Sequence, residues 1–175
     1  MNMITNLEKP KIIVGVMGPG ESASNEEIHM AYQLGKHIAR EGWITLSGGR
    51  NVGVMDAVSR GAKENGGFTI GILPHENLVG ASHALDIPIV TGMGSARNTI
   101  NVLTSHVIVV CGMGPGTASE VALAIKAGKE VILLGVSEAA EAFFNEITKN
   151  DDILTAQYPE EAIRLVKRVL ALNYV

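Results

Sequence analysis

The chain carries a single cysteine and few aromatic residues: three Phe, one Trp and three Tyr in 175 positions. One cysteine excludes an internal disulfide, and a cytoplasmic setting is the simple reading. No uninterrupted apolar run approaches membrane-spanning length, and the N-terminus lacks the apolar core of a signal peptide. Neither a membrane nor an export route is expected. Excess positive charge is missing too: 14 Lys and Arg face 18 Asp and Glu, a net charge of −4. That balance gives no electrostatic argument for nucleic acid or an anionic lipid surface. The basic residues are scattered, apart from Arg164, Lys167 and Arg168. Metal-ligand spacing is also lacking. His29 and His37 fall on one helix without a ligand pattern, His75 and His83 flank a loop that could serve as a lid, and His106 begins or precedes a strand. No protein-ligated metal is expected, and no Ser-His-Asp constellation can be read.

What is present is apolar and glycine-rich: 46% hydrophobic residues and 20 glycines, the composition of a compact α/β protein with many tight turns. Apolar runs predict strands at Lys11–Met17, Trp43–Leu46, Phe68–Leu73, Ile87–Val90, Val107–Cys111 and Glu130–Leu134. Helix-period segments predict helices at Ser24–Glu41, Val52–Asn65, Ser95–Thr104, Thr117–Ala127, Glu138–Thr148 and Pro159–Leu172. The Val-rich strands read as continuous apolar runs, as expected when helices cover both sheet faces. The alternation of strand and helix predicts a Rossmann-like, doubly wound parallel sheet with helices on both faces. No linker or repeat divides it, so residues 10–175 are expected to form one ligand-binding domain after a loose tail at 1–9.

Helix starts carry recognisable chemistry. Ser24 with Glu27, and Thr117 with Glu120, fit the capping box, in which a hydroxyl and a carboxylate three positions on satisfy each other's backbone N–H. Pro159, Glu160 and Glu161 suit a first helical turn. The second box gives Glu120 a purely structural explanation.

Three glycine turns follow predicted strands: Gly18-Pro19-Gly20-Glu21-Ser22, Gly48-Gly49-Arg50-Asn51-Val52-Gly53, and Gly112-Met113-Gly114-Pro115-Gly116-Thr117. In a parallel sheet all three lie at the C-terminal edge, where such folds collect ligands. Glycine permits close backbone approach, and a helix start offers unpaired N–H groups and the positive end of a dipole, which favours phosphate. One such turn is equally well plain turn chemistry; three on one edge point to a phosphorylated small molecule. The P-loop is excluded because no Gly-Lys-Ser/Thr follows. The dinucleotide fingerprint fits poorly because Gly15, Gly18 and Gly20 are spaced the wrong way round.

Polar residues that could face the ligand are few. Arg97 can grip phosphate or carboxylate with two parallel hydrogen bonds, or form a surface ion pair. Arg50 can reach a phosphate or remain a solvated loop arginine. Asn51 and Asn98 can orient a ligand or stabilise turns. Glu120 can stabilise developing positive charge on a sugar ring, or cap its helix. Cys111, ending a Val-rich strand, reads as core.

In order along the chain stand Gly48-Gly49-Arg50-Asn51-Val52-Gly53-Val54-Met55, Gly66-Gly67-Phe68-Thr69-Ile70-Gly71-Ile72-Leu73-Pro74, Arg97-Asn98 and Gly114-Pro115-Gly116-Thr117-Ala118-Ser119-Glu120. This ordered set, over roughly residues 11–135, resembles the Rossmann-like group of molybdenum-cofactor carrier proteins and LOG-type cytokinin-activating phosphoribohydrolases. Members are often labelled possible lysine decarboxylases, but nothing here resembles a pyridoxal-phosphate site. LOG enzymes typically show Pro-Gly-Gly-x-Gly-Thr-x-x-Glu and an upstream Arg-Lys. Arg97 and Glu120 match; Gly112-Met113-Gly114 replaces Pro-Gly-Gly, Asn98 replaces the lysine, and Arg50 replaces a third glycine.

The opening Gly15-Val16-Met17-Gly18-Pro19-Gly20-Glu21 looks more like the carrier branch, which implies binding and protection of molybdenum cofactor or molybdopterin. By that resemblance Gly114, Gly116 and Thr117 hold the phosphate, and Arg97 and Arg50 neutralise it. Gly18, Gly20, Glu21, Ser22, Gly49, Asn51, Asn98 and Glu120 complete the site. The metal would arrive with the dithiolene ligand. Molybdoenzymes or cofactor-synthesis proteins are the implied partners, and related proteins suggest a homo-oligomer. The enzyme branch implies instead cleavage of a nucleoside 5′-monophosphate at its N-glycosidic bond, with Arg97 and Glu120 catalytic. A nucleotide-sensing module without turnover is the third reading.

Overall fold

Hydrogen bonding between the apolar runs produces a seven-stranded, wholly parallel sheet in the computed structural model, which describes residues 11–148 and 153–173. The strands are β1 (Ile13–Met17), β2 (Ile44–Ser47), β3 (Phe68–Leu73), β4 (Ile87–Val90), β5 (Val107–Cys111), β6 (Val131–Leu134) and β7 (Leu154–Ala156). The helices are α1 (Asn25–Arg40), α2 (Gly53–Lys63), α3 (Asn98–Thr104), α4 (Pro115–Lys126), α5 (Glu138–Thr148) and α6 (Pro159–Asn173). The expected tail at 1–9 lies outside the described residues.

Spatial order is β4-β3-β2-β1-β5-β6-β7. The chain winds outward from β1 to β4, returns to place β5 beside β1, then winds outward on the other side. Val14 pairs with Val107 and Met17 with Val110, so the two central strands run in register. This is the doubly wound α/β fold that the alternation predicts.

The period-2 geometry of a strand splits β5 between two cores. Val107, Val109 and Cys111 pack with residues of α1, α2 and α6. Ile108 and Val110 pack on the other face with Val102 of α3, Val121 and Ala124 of α4, and Phe144 of α5. All five β5 residues are fully buried, each aliphatic contributing about 1.5–3 kcal/mol of transfer free energy. By contrast β4 is exposed along its whole length, and Pro88 is tolerated there because an edge strand need not donate on its open side.

Two helix starts resolve differently. The Ser24–Glu27 box is complete: Glu27 N–H donates to Ser24 Oγ at 3.2 Å and Ser24 N–H to a Glu27 carboxylate oxygen at 2.7 Å. The expected Thr117–Glu120 box does not form. α4 begins two residues earlier with Pro115 in its first turn, Gly114 is the N-cap, and no side chain caps the end. Proline's fixed φ suits the first helical position, and that moves Thr117 and Glu120 inside the helix. The predicted Ser95–Thr104 helix is split into a 3-10 turn, Gly94–Arg97, followed by α3. The strand β7 is an addition, three residues too short to carry a periodic signal.

Candidate functional site

Because successive strands wind away from β1 and β5 in opposite directions, no crossover helix covers the crevice between their C-terminal ends. Ligands bind such folds at this switch point. Here it opens into a cleft of about 260 Å³. Its wall takes Gly18, Gly20, Glu21 and Ser22 from the β1–α1 turn, Gly48 and Arg50 from the β2–α2 turn, and Gly114, Gly116 and Thr117 from the start of α4. Arg97, Asn98 and Glu120 close the floor. All three glycine turns therefore contribute.

Gly49 and Asn51 do not line the cleft. Gly49 has φ +73°, and a Cβ there would lie 2.8 Å from Gly71 Cα, so it serves the packing of its turn on β3. Asn51 is exposed, and its N–H donates to Gly80 O at 2.8 Å. The neighbouring Gly48 borders the site instead. A Cβ on it would sit 2.9 Å from Arg97 Nη2 and 2.7 Å from Met55 Sδ, so its bareness lets the guanidinium in. Met55 and Ser95 also line the cleft. Gly48 and Met55 stood within a segment already singled out, though neither as a site residue; for Ser95 the sequence held no signal beyond proximity to Arg97.

Arg97 is not a surface residue. It is only 8% exposed, at the junction of the 3-10 turn and α3. Its Nη1 donates to Asn98 Oδ1 at 2.9 Å, Asn98 Nδ2 donates to Ser119 Oγ at 3.0 Å, and Ser119 Oγ donates to Gly116 O at 2.6 Å. This chain of bonds ties the guanidinium to the first turn of α4. Its Nε is buried with no hydrogen-bond partner, a state that costs about 1–3 kcal/mol. Burial lowers the Arg97 pKa, the nearby Glu120 charge opposes that shift, and Arg50 adds to it.

The first turn of α4 is arranged to receive an anion. Ala118 N–H makes the first intrahelical bond, to Gly114 O at 2.8 Å, so the N–H groups of Gly116 and Thr117 precede it and no side chain caps them. Together with the helix dipole, free N–H groups of this kind are the chemistry that an oxyanion can use.

Glu120, one turn further along α4, is 7% exposed and accepts a 2.8 Å hydrogen bond from Asn101 Nδ2. Burial raises its pKa, against the lowering effects of the Asn101 bond and the Arg97 charge. A carboxyl whose pKa is raised on folding favours the folded state most when protonated. That stability is fully present below the ordinary value of 4.5 and is lost as pH rises through the folded-state value. Glu120→Gln is therefore expected to raise Tm at pH 8, with the gain disappearing near pH 4. A Tm difference independent of pH would mean that Glu120 is not strained by its burial.

At the cleft mouth Arg50 reaches across to Glu21, with Nη2–Oε1 at 2.5 Å and Nη1–Oε2 at 3.4 Å. This bond to Arg50 is the main cause of the lowered Glu21 pKa. Cys111 is core, its thiol pushed up to about 12 by burial. Among the described residues no three His, Cys, Asp or Glu side chains gather to hold a metal ion. No helix among them is long and apolar enough to cross a membrane.

Fold and cleft together define a Rossmann-like α/β protein with its pocket at the topological switch point. The sequence profile of the SLOG cluster4 family matches residues 11–163, and the chain belongs to that family. The molybdenum cofactor binding protein of the phototrophic bacterium Rippkaea orientalis is 52% identical, with a TM-score of 0.89 over 91% of this chain and 98% of that one. The molybdenum cofactor carrier protein of Chlamydomonas reinhardtii is also 52% identical, with a TM-score of 0.87 over 92% of this chain and 99% of that one. A cytokinin riboside 5′-monophosphate phosphoribohydrolase of Mycobacterium marinum is 32% identical over 99 residues, 54% of this chain and 52% of that enzyme. The match thus spans about half the enzyme's length.

Proposed function

We propose that this chain binds molybdenum cofactor or its molybdopterin form and carries it in protected form. The observation that carries the reading is the convergence of the uncapped α4 start and the buried Arg97 on one cleft. A terminal phosphate seats on the Gly116 and Thr117 amides, neutralised by Arg97. Arg50 joins by exchanging Glu21 for the ligand. Glu21, Ser22 and Asn98 supply polar contacts for the pterin. The 52% identical molybdenum cofactor binding protein and molybdenum cofactor carrier protein support the same reading.

Gly116 provides an internal test. A Cβ there meets no protein atom within 4 Å, so Gly116→Ala should leave the fold intact while intruding on a seated phosphate. Cofactor affinity is expected to drop about tenfold, a loss of about 1.4 kcal/mol, with Tm unchanged or raised. Equal affinity in both proteins would move the phosphate away from α4.

The presence of both Arg97 and Glu120 at the cleft floor favours one competing reading, cleavage of a nucleoside 5′-monophosphate. The deciding experiment measures cofactor binding by calorimetry and free-base release from a panel of nucleoside 5′-monophosphates, for wild type and Glu120→Gln. One cofactor per chain and no base release is the expected result. Sustained release, lost in Glu120→Gln, would make the protein a phosphoribohydrolase.

The reading extends to a cytoplasmic protein that delivers its cargo to molybdoenzymes or receives it from cofactor-synthesis proteins. It also extends to a homo-oligomer, for which the apolar hollow on α3 and α4 around Val102, Leu103 and Leu123 offers a contact face. Light scattering of the purified chain tests the last point.

A further inference from the structure

Arg97 borders two hollows. Besides the main cleft it lines a second one of about 300 Å³, together with Arg50, Pro74, His75, Gly94 and Ser95. Arg50, Arg97 and Ser95 are common to both hollows. The second lining holds two guanidiniums, an imidazole and a hydroxyl, and no carboxylate. The acids nearby are engaged elsewhere or stand outside it. Glu21 pairs with Arg50 at the mouth of the main cleft, Glu120 accepts from Asn101, and Glu76 packs near Gly92. Arg97, more than nine-tenths buried, has an Nε without an acceptor, and the Arg50 charge bears unfavourably on it. Two cations held near each other beside an unmet donor are arrangements that an oxyanion relieves.

We propose that the Arg50–His75–Arg97 hollow is a second oxyanion subsite, so that the cleft takes a ligand bearing anionic groups at two places. One sits at the start of α4 and the other between Arg50, His75 and Arg97. Given the cofactor reading, on which this assignment of the occupant rests, the second group is the oxo-metal end of the cofactor. A second phosphoryl group likewise presents anionic, hydrogen-bond-accepting oxygens and is the other source of that chemistry. The shared Arg97 then lies between the two anions and contributes to both.

His75 is exposed on the loop after β3, so His75→Ala should fold normally. His83, exposed further along that loop and absent from the hollow, is the control. Calorimetry would compare the molybdenum-loaded cofactor, metal-free molybdopterin, inorganic molybdate, and a nucleoside monophosphate with its diphosphate. Wild type is expected to prefer the loaded over the metal-free form by about tenfold, the value of one charge-assisted contact. His75→Ala should cut that ratio to about twofold or less, and His83→Ala should keep it.

A loaded-form preference that survives His75→Ala overturns the subsite. So does a wild type that separates neither the two pterin forms nor the monophosphate from the diphosphate. A diphosphate preference that His75→Ala abolishes assigns the second oxyanion to a phosphoryl group. If neither pterin form binds, the carrier reading falls and inorganic molybdate decides the subsite. Binding weakened about fivefold by His75→Ala keeps it, and equal binding removes it.

Discussion

Arg97→Ala is expected to weaken cofactor affinity about 100-fold, with the apoprotein's Tm changed little. A hydrogen-bonded charge against phosphate contributes about 1.5–3 kcal/mol, and Arg97 is the buried cation of the cleft floor. The apoprotein should tolerate the loss because the side chain is poorly provided for without ligand. Its Nε lacks an acceptor, and burial lowers its pKa. Truncation removes a costly group along with its one hydrogen bond to Asn98. Arg97→Lys keeps the charge but not the planar fork, and should recover only part of the affinity. Calorimetric titration beside thermal melts separates the alternatives. Unchanged affinity removes Arg97 from the phosphate site, and a large fall in apoprotein Tm makes its role structural.

The largest effect on stability is expected from Gly61→Val. The helices α1 and α2 cross backbone to backbone: a Cβ on Gly61 would lie 2.0 Å from Tyr32 O, and one on Gly35 would lie 2.1 Å from Val58 O. Neither carbonyl can move aside without unwinding its helix. Overpacking of this kind costs about 3 kcal/mol, which lowers Tm by roughly 6–12 °C in a domain of this size. Ligand binding should suffer too, because the turns leading into these helices carry Glu21 and Arg50, whose ion pair spans the cleft mouth. Gly116→Ala is the matched contrast, since it meets no protein atom. A Gly61→Val protein melting with wild type would show that the two helices can separate at little cost.

Much of this architecture was legible in the chain because it depends on short-range chemistry. Four apolar β-branched residues and a cysteine before Gly112 specify a buried strand, and Ser24 three residues before Glu27 specifies a helix start. Placing three glycine turns on one sheet edge needed only the parallel alternation. Glu120 shows where local reading fails. Thr117 and Glu120 have the spacing of a capping box, but Pro115 two residues earlier starts the helix first. The carboxylate is thereby carried inward, to Asn101 and toward Arg97.

The sequence by itself determined the alternation of strands and helices, the glycine turns and the candidate cations. All of these follow from hydrogen bonding and side-chain periodicity within a few residues. Tertiary structure alone decided that β5 returns beside β1 and opens the cleft there. It also decided that Gly48 rather than Gly49 admits Arg97, and that Gly35 and Gly61 let two helices touch. Each of these is a steric relation between residues far apart in the chain. Whether a missing Cβ is a turn, a hole or a contact depends on the atoms packed against it, and those arrive only when the sheet has closed.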